Sequence, residues 1–357
     1  MKYLKTLFIL SIVISCYAQK VYENSNTPKD DKFNIVLKER TVLDFNSCEK
    51  AFVSFSLLAP TQLDRDSSLF FVDSRNSKVV KFDKNGRFIT SFSNHGNGPG
   101  EFPNNFVNVF YLSDDSLYLV NHSERKIIIF ETNGKFSHNR TYSRESNPSG
   151  KQIFVKNDKT IIYKTFEGMY KDVKRKLVLA DISMEIFKNI FSMELEENPA
   201  EIMSGKNSFE LACSKDEIYM SVPGDFGSYL INVYDFDGNM KYKIRKHYRK
   251  VRINNDKFGK TLKQNKISTK GMSDYERPIQ SMFCDTKGRL FVRYSKDDDK
   301  KSSYFFDVFQ KAEFINRVGF EIPSNIDGVA FRDDFAYGFD CNNNSIIVYE
   351  YEEVRIK

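Results

Sequence analysis

Two stretches of sequence decide the fold: "LFFVDSRNSKVVKFDKNGRF" at residues 69–88 and "LYLVNHSERKIIIFETNGKF" at residues 117–136. They align without a gap. Each contains an apolar run, a polar turn, a second apolar run, and then Asn-Gly followed by a basic residue. Short apolar runs separated by turn residues are typical of antiparallel strands. Self-similarity at a fixed period indicates a repeat architecture.

Weaker copies of the pattern begin at Thr160, Ile218, Leu290 and Phe335, which makes six copies in all. A further apolar run precedes each copy, and another strand follows the Asn-Gly turn. Four short antiparallel strands in about 40–50 residues are typical of one propeller blade. The sequence therefore predicts an all-β, six-bladed β-propeller with four-stranded antiparallel blades. A short helix is expected only within residues 253–270.

The last copy ends after its third strand, and the segment "NIVLKERTVLDF" at residues 34–45 precedes the first copy. An open ring would leave unpaired strand edges, which invite aggregation. We therefore expect this N-terminal segment to supply the missing outer strand of the last blade and to close the ring. The propeller is then predicted to span residues 34–357.

The N-terminus has the pattern of an export signal. Two lysines precede an apolar run at residues 7–14, which is far shorter than the roughly 20 residues that span a membrane. This predicts a signal peptide over residues 1–18. "VISC", which ends at Cys16, resembles a bacterial lipobox and predicts lipidation of that cysteine; the alternative is ordinary cleavage after Ala18. Residues 19–33 are then expected to form a tether.

The stretch "NHGNGPGEF" at residues 94–102 contains Gly96, Gly98, Pro99 and Gly100. A dinucleotide-binding loop needs Gly-x-Gly-x-x-Gly between a strand and a helix, and this spacing does not match. Glycine permits positive φ and proline stiffens the chain. The stretch is therefore predicted to be a structural turn that joins the outer strand of one blade to the inner strand of the next.

The chain resembles a known family at this point. The stretch Gly96–Phe102, together with "YERPIQSMFCDTKGRLFVRY" at residues 275–294, is similar to NHL-type repeats and, more closely, to bacterial secreted six-bladed β-propeller lipoproteins. The resemblance covers the chain from Ile35 to its end. It implies the propeller fold and export, and it implies no established reaction.

Motifs for chemistry are sparse. None of the four histidines are paired at i,i+4, and no zinc, P-loop or nucleophile-elbow motif occurs. Residues 235–238 and 297–299 are acidic but lack the Glu that closes a calcium loop, and they are interpreted as turns. Asn108 and Asp285 would serve a metal-dependent lactonase only if the inner strands brought such groups together. No metal and no cofactor is predicted.

A cationic segment lies between the fourth and fifth copies, where residues 241–266 contain eleven Lys or Arg and one acid. Alternation along a strand would place Lys246, Lys250 and Arg252 on one face and Arg249 on the other. Such a face could bind anionic glycans or lipid phosphates. The alternative is a solvated outer strand and loop, in which alternating charge is ordinary.

Four cysteines remain beyond the signal: Cys48, Cys213, Cys284 and Cys341. An exported chain can oxidise its thiols, and four cysteines allow three full pairings, among which the sequence does not choose. Buried free thiols are the other possibility, because a chain of this length can bury a sufficient core without disulfides.

The favoured function is binding or scaffolding at the cell envelope by a monomeric lipoprotein of the outer membrane or periplasm. The expected partner is a glycan, in particular an anionic one, or an envelope protein. The lipid is the only expected contact with the membrane. A soluble secreted protein is the alternative location. The net charge of +6 is mild, and nucleic acid is not expected as a partner outside the cytoplasm. The alternative function is an envelope enzyme, lactonase- or lyase-like, that uses the central channel.

Overall fold

The computed structural model describes residues 19–30, 33–48, 57–58, 64, 66–103, 107–113, 115–157, 159–167, 173–195, 208–224, 227–252, 273–296 and 303–356. The signal segment with Cys16, the stretch 253–270 and the acidic residues 297–299 lie outside them. Within the described residues, no helix is long and apolar enough to cross a membrane.

The described chain forms six sheets, each one a blade of a ring. Two strands come first, β1 (Val21–Asn24) and β2 (Phe33–Asp44). Blade 1 contains β3 (Leu57–Leu58), β4 (Leu69–Asp73), β5 (Lys78–Phe82) and β6 (Phe88–Phe92). Blade 2 contains β7 (Val107–Ser113), β8 (Ser116–Asn121), β9 (Lys126–Glu131) and β10 (Phe136–Thr141). Blade 3 contains β11 (Pro148–Asn157), β12 (Thr160–Glu167), β13 (Lys174–Asp181) and β14 (Ile186–Glu194).

Blade 4 contains β15 (Leu211–Cys213), β16 (Ile218–Ser221), β17 (Tyr229–Tyr234) and β18 (Met240–Lys246). Blade 5 contains β19 (Ile279–Cys284), β20 (Leu290–Tyr294), β21 (Ser303–Gln310) and β22 (Glu313–Glu321). Blade 6 contains β23 (Gly328–Arg332), β24 (Phe335–Asp340) and β25 (Ser345–Arg355). Two single 3-10 turns occupy Phe45–Ser47 and Arg144–Ser146. The predicted six-bladed, all-β propeller is confirmed.

Because the strands of a blade alternate in direction, the turns divide between two ends of the ring. The turns from first to second and from third to fourth strand lie at one end, which we name the lower end. The second-to-third turns and the connections between blades lie at the other, the upper end. The first strand of each blade is innermost and borders the central channel, and the fourth lies at the rim.

The third-to-fourth turns explain the repeated Asp-x-Asn-Gly signal. The Asp83 carboxylate accepts hydrogen bonds from the backbone N–H groups of Asn85 and Arg87, at 2.9 and 2.8 Å. Asp235 of blade 4 makes the same pair of bonds, so its carboxylate shapes a turn as predicted. Blade 3 lacks Asn-Gly, and there Met184 takes the left-handed conformation, with φ of 67°.

The core lies between the blades rather than within them. Every residue of β4 and β5 is buried, because both faces of a middle strand pack against neighbouring blades. Six clusters of buried apolar side chains occur among the described residues, one at each junction between adjacent blades. A ring of such junctions holds the inner strands at fixed positions around the channel.

The N-terminal strand closes the ring as predicted. Strand β2 pairs antiparallel with β25 over most of its length and forms the outer strand of blade 6. Ile35 is fully buried at the junction with blade 5, and Leu43 is fully buried at the junction with blade 1. The two side chains point to opposite sides of the blade, because the pairing register shifts between Glu39 and Thr41. The last blade is therefore assembled from both ends of the chain.

The segment expected to be a tether contains a strand. Residues 21–24 form β1, which pairs in parallel with β18 as a fifth strand of blade 4. Asn24 then bridges to blade 5: its Nδ2 donates to the Ala312 carbonyl at 3.1 Å, and its Oδ1 accepts from the Phe314 N–H at 2.8 Å. We name residues 19–30 the N-terminal strap, because they join the rims of blades 4 and 5.

The glycine-rich stretch is a turn at the upper end between blades 1 and 2, as predicted. The Glu101 carboxylate folds back and accepts a hydrogen bond from the Gly98 N–H at 3.0 Å. A Cβ atom on Gly96 would overlap this carboxylate, and Gly100 has a φ of 73°. Phe102 follows and is fully buried between the two blades. The glycines therefore make room for a carboxylate cap and a buried aromatic anchor.

Candidate functional site

A cavity of about 360 Å³ opens at the lower end of the ring, where the inner strands of blades 3 to 6 end. A volume of this size suits a small organic ligand, since ligand pockets are typically about 300–1,000 Å³. The lining includes Phe154–Lys156 and Ile162 from blade 3, Cys213–Lys215 and Phe236 from blade 4, Met282–Thr286 and Gly288 from blade 5, and Phe331–Asp333 from blade 6.

Arg332 dominates the electrostatics of this cavity. It ends β23 of blade 6, and its guanidinium carbon lies 5.6 Å from the centre of the Phe154 ring of blade 3, on the opposite side of the ring of blades. Burial lowers the pKa of Arg332. No hydrogen bond or ion pair from a described residue reaches its guanidinium, which contacts an aromatic face instead. A half-buried cation in this state favours an anionic partner.

Two lysines add to the positive charge. Lys156 and Lys215 are exposed side chains on the cavity wall. The Nζ atom of Lys156 lies 4.5 Å from the centre of the Phe236 ring. Cations placed over aromatic rings keep their charge while the rings hold them in position. Three cations from three different blades therefore face one cavity.

The acidic groups of the wall compensate these cations only in part. The Asp285 carboxylate is fully buried and forms an ion pair with Arg289, Oδ2 to Nε 2.6 Å, within its own turn. Asp333 is the second acid, next to Arg332. Surrounding protein atoms on the channel wall partly desolvate its carboxyl and raise its pKa. The side chain is nevertheless exposed to water on one side. The charge that remains for a ligand is positive.

The two cysteines of the cavity are thiols rather than a disulfide. All four cysteines in the described part of the chain are free, which agrees with the free-thiol alternative. Burial raises the pKa of Cys213 and Cys284 well above the ordinary value for a thiol. Because the thiolate is the nucleophile, these groups contribute volume and shape to the cavity rather than reactivity.

The predicted cationic face is divided by the structure. Lys246 is buried, with its Nζ 3.0 Å from the Asp307 carboxylate, so the expectation that it faces a ligand is wrong. Strand β18 ends at this residue, and the alternation therefore does not continue to Arg249, Lys250 and Arg252. These three remain exposed at the upper end, far from the cavity.

The groups considered for a metal do not come together in the part of the chain that the structure describes. Asp285 is held by Arg289, and Asn108 lies on β7 of blade 2, where its side chain is not described. No group of three or more His, Cys, Asp or Glu side chains in position to hold a metal ion occurs among the described residues.

The sequence contained one signal for the cavity that its repeats obscured. The residues opposite the first residue of the repeat are Leu112 in blade 2, Cys213 in blade 4 and Cys284 in blade 5, which are apolar or weakly polar, and the neutral Asn157 in blade 3. Arg332 occupies the same position in blade 6, opposite Phe335. A charged residue at a repeat position that is uncharged in the other described blades is a sign of a functional site.

The fold and the site define a class: a six-bladed β-propeller with a cation-lined cavity at one mouth of its channel. The chain belongs to the DUF5128 family, described as 6-bladed beta-propeller, whose sequence profile matches residues 61–323. This membership confirms the resemblance to a family of six-bladed β-propellers. No curated protein matches the chain.

Two solved structures are similar to the whole chain. One is a predicted exported protein from Bacteroides fragilis, which is 15% identical, with a TM-score of 0.57 over 95% of this chain and 100% of the other. The second is a DUF4221 family member from Bacteroides vulgatus, which is 12% identical, with a TM-score of 0.58 over 92% of this chain and 100% of the other. At these identities the similarity shows the fold alone.

Proposed function

We propose that this protein is a binding protein of the cell envelope, and that its lower cavity binds a small anionic ligand, such as the uronate or sulfate group of an acidic glycan. The observation that carries the proposal is Arg332. Its guanidinium lies in the cavity against the Phe154 ring, and it forms no ion pair with a described acid; the neighbouring Asp333 carboxylate attracts its charge without contacting it. An anionic group there would form charge-assisted hydrogen bonds with a planar, fixed donor.

The aromatic lining supports a ligand with an organic body rather than a bare ion. Phe154, Phe236 and Phe331 contribute to the walls, so apolar faces surround the cationic groups. Binding sites commonly combine such a lining with a few polar groups that fix orientation. A sugar ring that carries a carboxylate or a sulfate matches both features, because its C–H faces pack on rings while its charge meets Arg332.

The proposed location rests on the N-terminal sequence. The signal pattern and the lipobox-like "VISC" favour export and lipidation at Cys16. An extracytoplasmic position suits a glycan ligand. The fold itself does not choose between binding and catalysis, so the function is argued from the cavity alone.

The test is calorimetric titration of the mature protein, in detergent, with acidic and neutral oligosaccharides at low and high salt. We expect binding of uronate- or sulfate-bearing glycans that weakens with salt, since exposed charges are screened beyond about 8 Å at physiological ionic strength. Arg332→Gln should weaken binding by about tenfold or more, and Arg332→Lys by less. Arg87→Gln changes an exposed arginine of the lower end outside the cavity, and it should have no effect.

A second arm of the same experiment separates the cavity from the cationic segment of the upper end. Changing Arg249, Lys250 and Arg252 together to Ser should leave binding intact. Loss of binding in this variant, with full binding in Arg332→Gln, would assign the ligand to the upper end and overturn the cavity proposal. Equal binding of neutral and acidic glycans would contradict both. Cleavage of a glycan during incubation would indicate the enzymatic alternative.

A further inference from the structure

The N-terminal strap fixes where the chain leaves the propeller. Its first described residue, Gln19, donates from Nε2 to the Met240 carbonyl at 3.4 Å, and the Lys243 N–H donates to the Lys20 carbonyl at 2.9 Å. Met240 begins β18 at the lower end, directly after the turn that contributes Phe236 to the cavity wall. Gln19, where the described chain begins, therefore lies at the lower end, beside the cavity.

Exposed apolar side chains concentrate at the same end. The three most exposed among the described residues are Phe187 at 61%, Ile356 at 60% and Ile89 at 49%. Ile89 and Phe187 are the second residues of β6 and β14, just after lower turns, and Ile356 follows the lower end of β25. They belong to blades 1, 3 and 6, so they are distributed around the perimeter of one face.

We propose that this lower face meets the membrane: acylated Cys16 inserts into the bilayer, and Ile89, Phe187 and Ile356 lie at the level of the headgroups. The inference rests on the lipidated form of the proposed function. The lipid at Cys16 would hold the lower face close to the bilayer, and the exposed apolar side chains on that face would add buried apolar area.

The length of the connection excludes the opposite orientation. Cys16 precedes Gln19 by three residues, which span at most about 10 Å when fully extended. Strand β18 has seven residues and extends about 20 Å from the lower end toward the upper end. A lipid attached at Cys16 therefore reaches a bilayer at the lower face and not one at the upper face. The cavity then opens toward the membrane, and its anionic ligand is one that lies at the bilayer surface.

The chain contains no tryptophan, so a single introduced Trp reports its own depth. The full lipidated protein is reconstituted in vesicles of phosphatidylethanolamine and phosphatidylglycerol whose acyl chains carry bromine, which quenches Trp emission on contact. We expect Ile89→Trp and Phe187→Trp to lose about half of their emission or more, because these side chains lie at the interface. Val42→Trp, at the upper end of the outer strand β2, is the matched control: Val42 is 44% exposed, and its emission should not change.

Quenching of Val42→Trp as strong as that of Ile89→Trp would overturn the orientation, and so would unquenched Trp at both lower positions. Quenching confined to Val21→Trp, on the rim of blade 4, would indicate a side-on arrangement instead.

If mass spectrometry of the intact protein showed no acyl group at Cys16, the protein would have no lipid anchor and the proposed orientation would fail. Cys16→Ala should abolish quenching at every position. The titrations in detergent are independent of vesicles, so a failed cavity proposal and a failed orientation remain distinguishable.

Discussion

Lys246 and Asp307 form an ion pair, Nζ to Oδ2 3.0 Å, in which the side chains are only 2% and 0% exposed. Lys246 ends the fourth strand of blade 4, and Asp307 lies in the third strand of blade 5, so the pair joins two blades. Asp307 also accepts from Arg317 Nε at 2.9 Å, and Lys246 Nζ donates to Asn26 of the strap at 3.1 Å. The strap therefore covers a buried ionic network.

Asp307→Asn should lower the free energy of unfolding by about 3 to 5 kcal/mol, because it leaves two cations beside a buried position without their carboxylate. Urea unfolding monitored by circular dichroism measures the loss. Lys250→Met, which removes an exposed cation of the same segment, is the control and should stay within about 0.5 kcal/mol of the parent protein. Equal stability of Asp307→Asn and the parent would show that solvent reaches this network.

Arg332→Met should preserve or raise stability, by up to about 2 kcal/mol, because replacing a half-buried, unpaired cation by an apolar side chain removes its desolvation penalty. The same change should abolish binding of the anionic ligand. Stability that rises while binding disappears is characteristic of a residue retained for function. A marked decrease in the urea midpoint would instead assign Arg332 a structural role.

His122 should make the protein less stable in acid. Its ring is half-buried, its Nε2 has no hydrogen-bond partner in the described structure, and burial lowers its pKa to about 4. An unfolded histidine binds its proton near pH 6.5, so the unfolded state takes up more protons as the pH falls toward 4.

This difference should remove about 2 to 3 kcal/mol of stability between pH 6.5 and 4. The loss should shrink in His122→Gln, which cannot gain the proton. His138→Gln changes an exposed histidine of the same blade and should keep the pH dependence of the parent. If the stability of His122→Gln and that of the parent changed with pH in the same way, His122 would not be the group responsible for the loss in acid.

Gly96→Ala should destabilise the turn between blades 1 and 2 by about 1 kcal/mol, because the added Cβ displaces the Glu101 carboxylate and breaks its hydrogen bond with the Gly98 N–H. The penalty should be smaller when Glu101→Ala is already present, since the overlapping group is then absent. A double-mutant cycle measured by urea unfolding gives the coupling, which we expect to reach about 1 kcal/mol. If the effects of Gly96→Ala and Glu101→Ala on stability were additive, the destabilisation by Gly96→Ala would not come from contact with Glu101.

Much of the fold could be predicted because its signals are local. Strand alternation, the Asp-x-Asn-Gly turns and the repeat period all depend on residues close together in the chain. The closing strand was also predictable, since counting strands showed that the last blade needed one more. Strand β1 was missed, because four residues with no repeat partner do not distinguish a strand from a tether.

The candidate site could not be predicted from local pattern. Lys246 belongs to a run of cations that resembles a solvated face, and only the position of Asp307 on the next blade makes it a buried partner. Arg332 follows an apolar strand and precedes two acids, which is the composition of an ordinary turn. Its contact with Phe154 requires blades 3 and 6 to face one another across the channel.

The sequence by itself determined the blades, because hydrogen-bonded hairpins and their turns depend on neighbours in the chain. Only the tertiary structure decided which charged side chains form ion pairs and which face a cavity. Closing the ring brings the ends of four inner strands to one mouth, buries one lysine of the cationic segment and leaves one arginine facing a cavity. The physical reason is that the electrostatic environment of a side chain depends on all groups within several ångströms, and in a propeller most of them come from other blades.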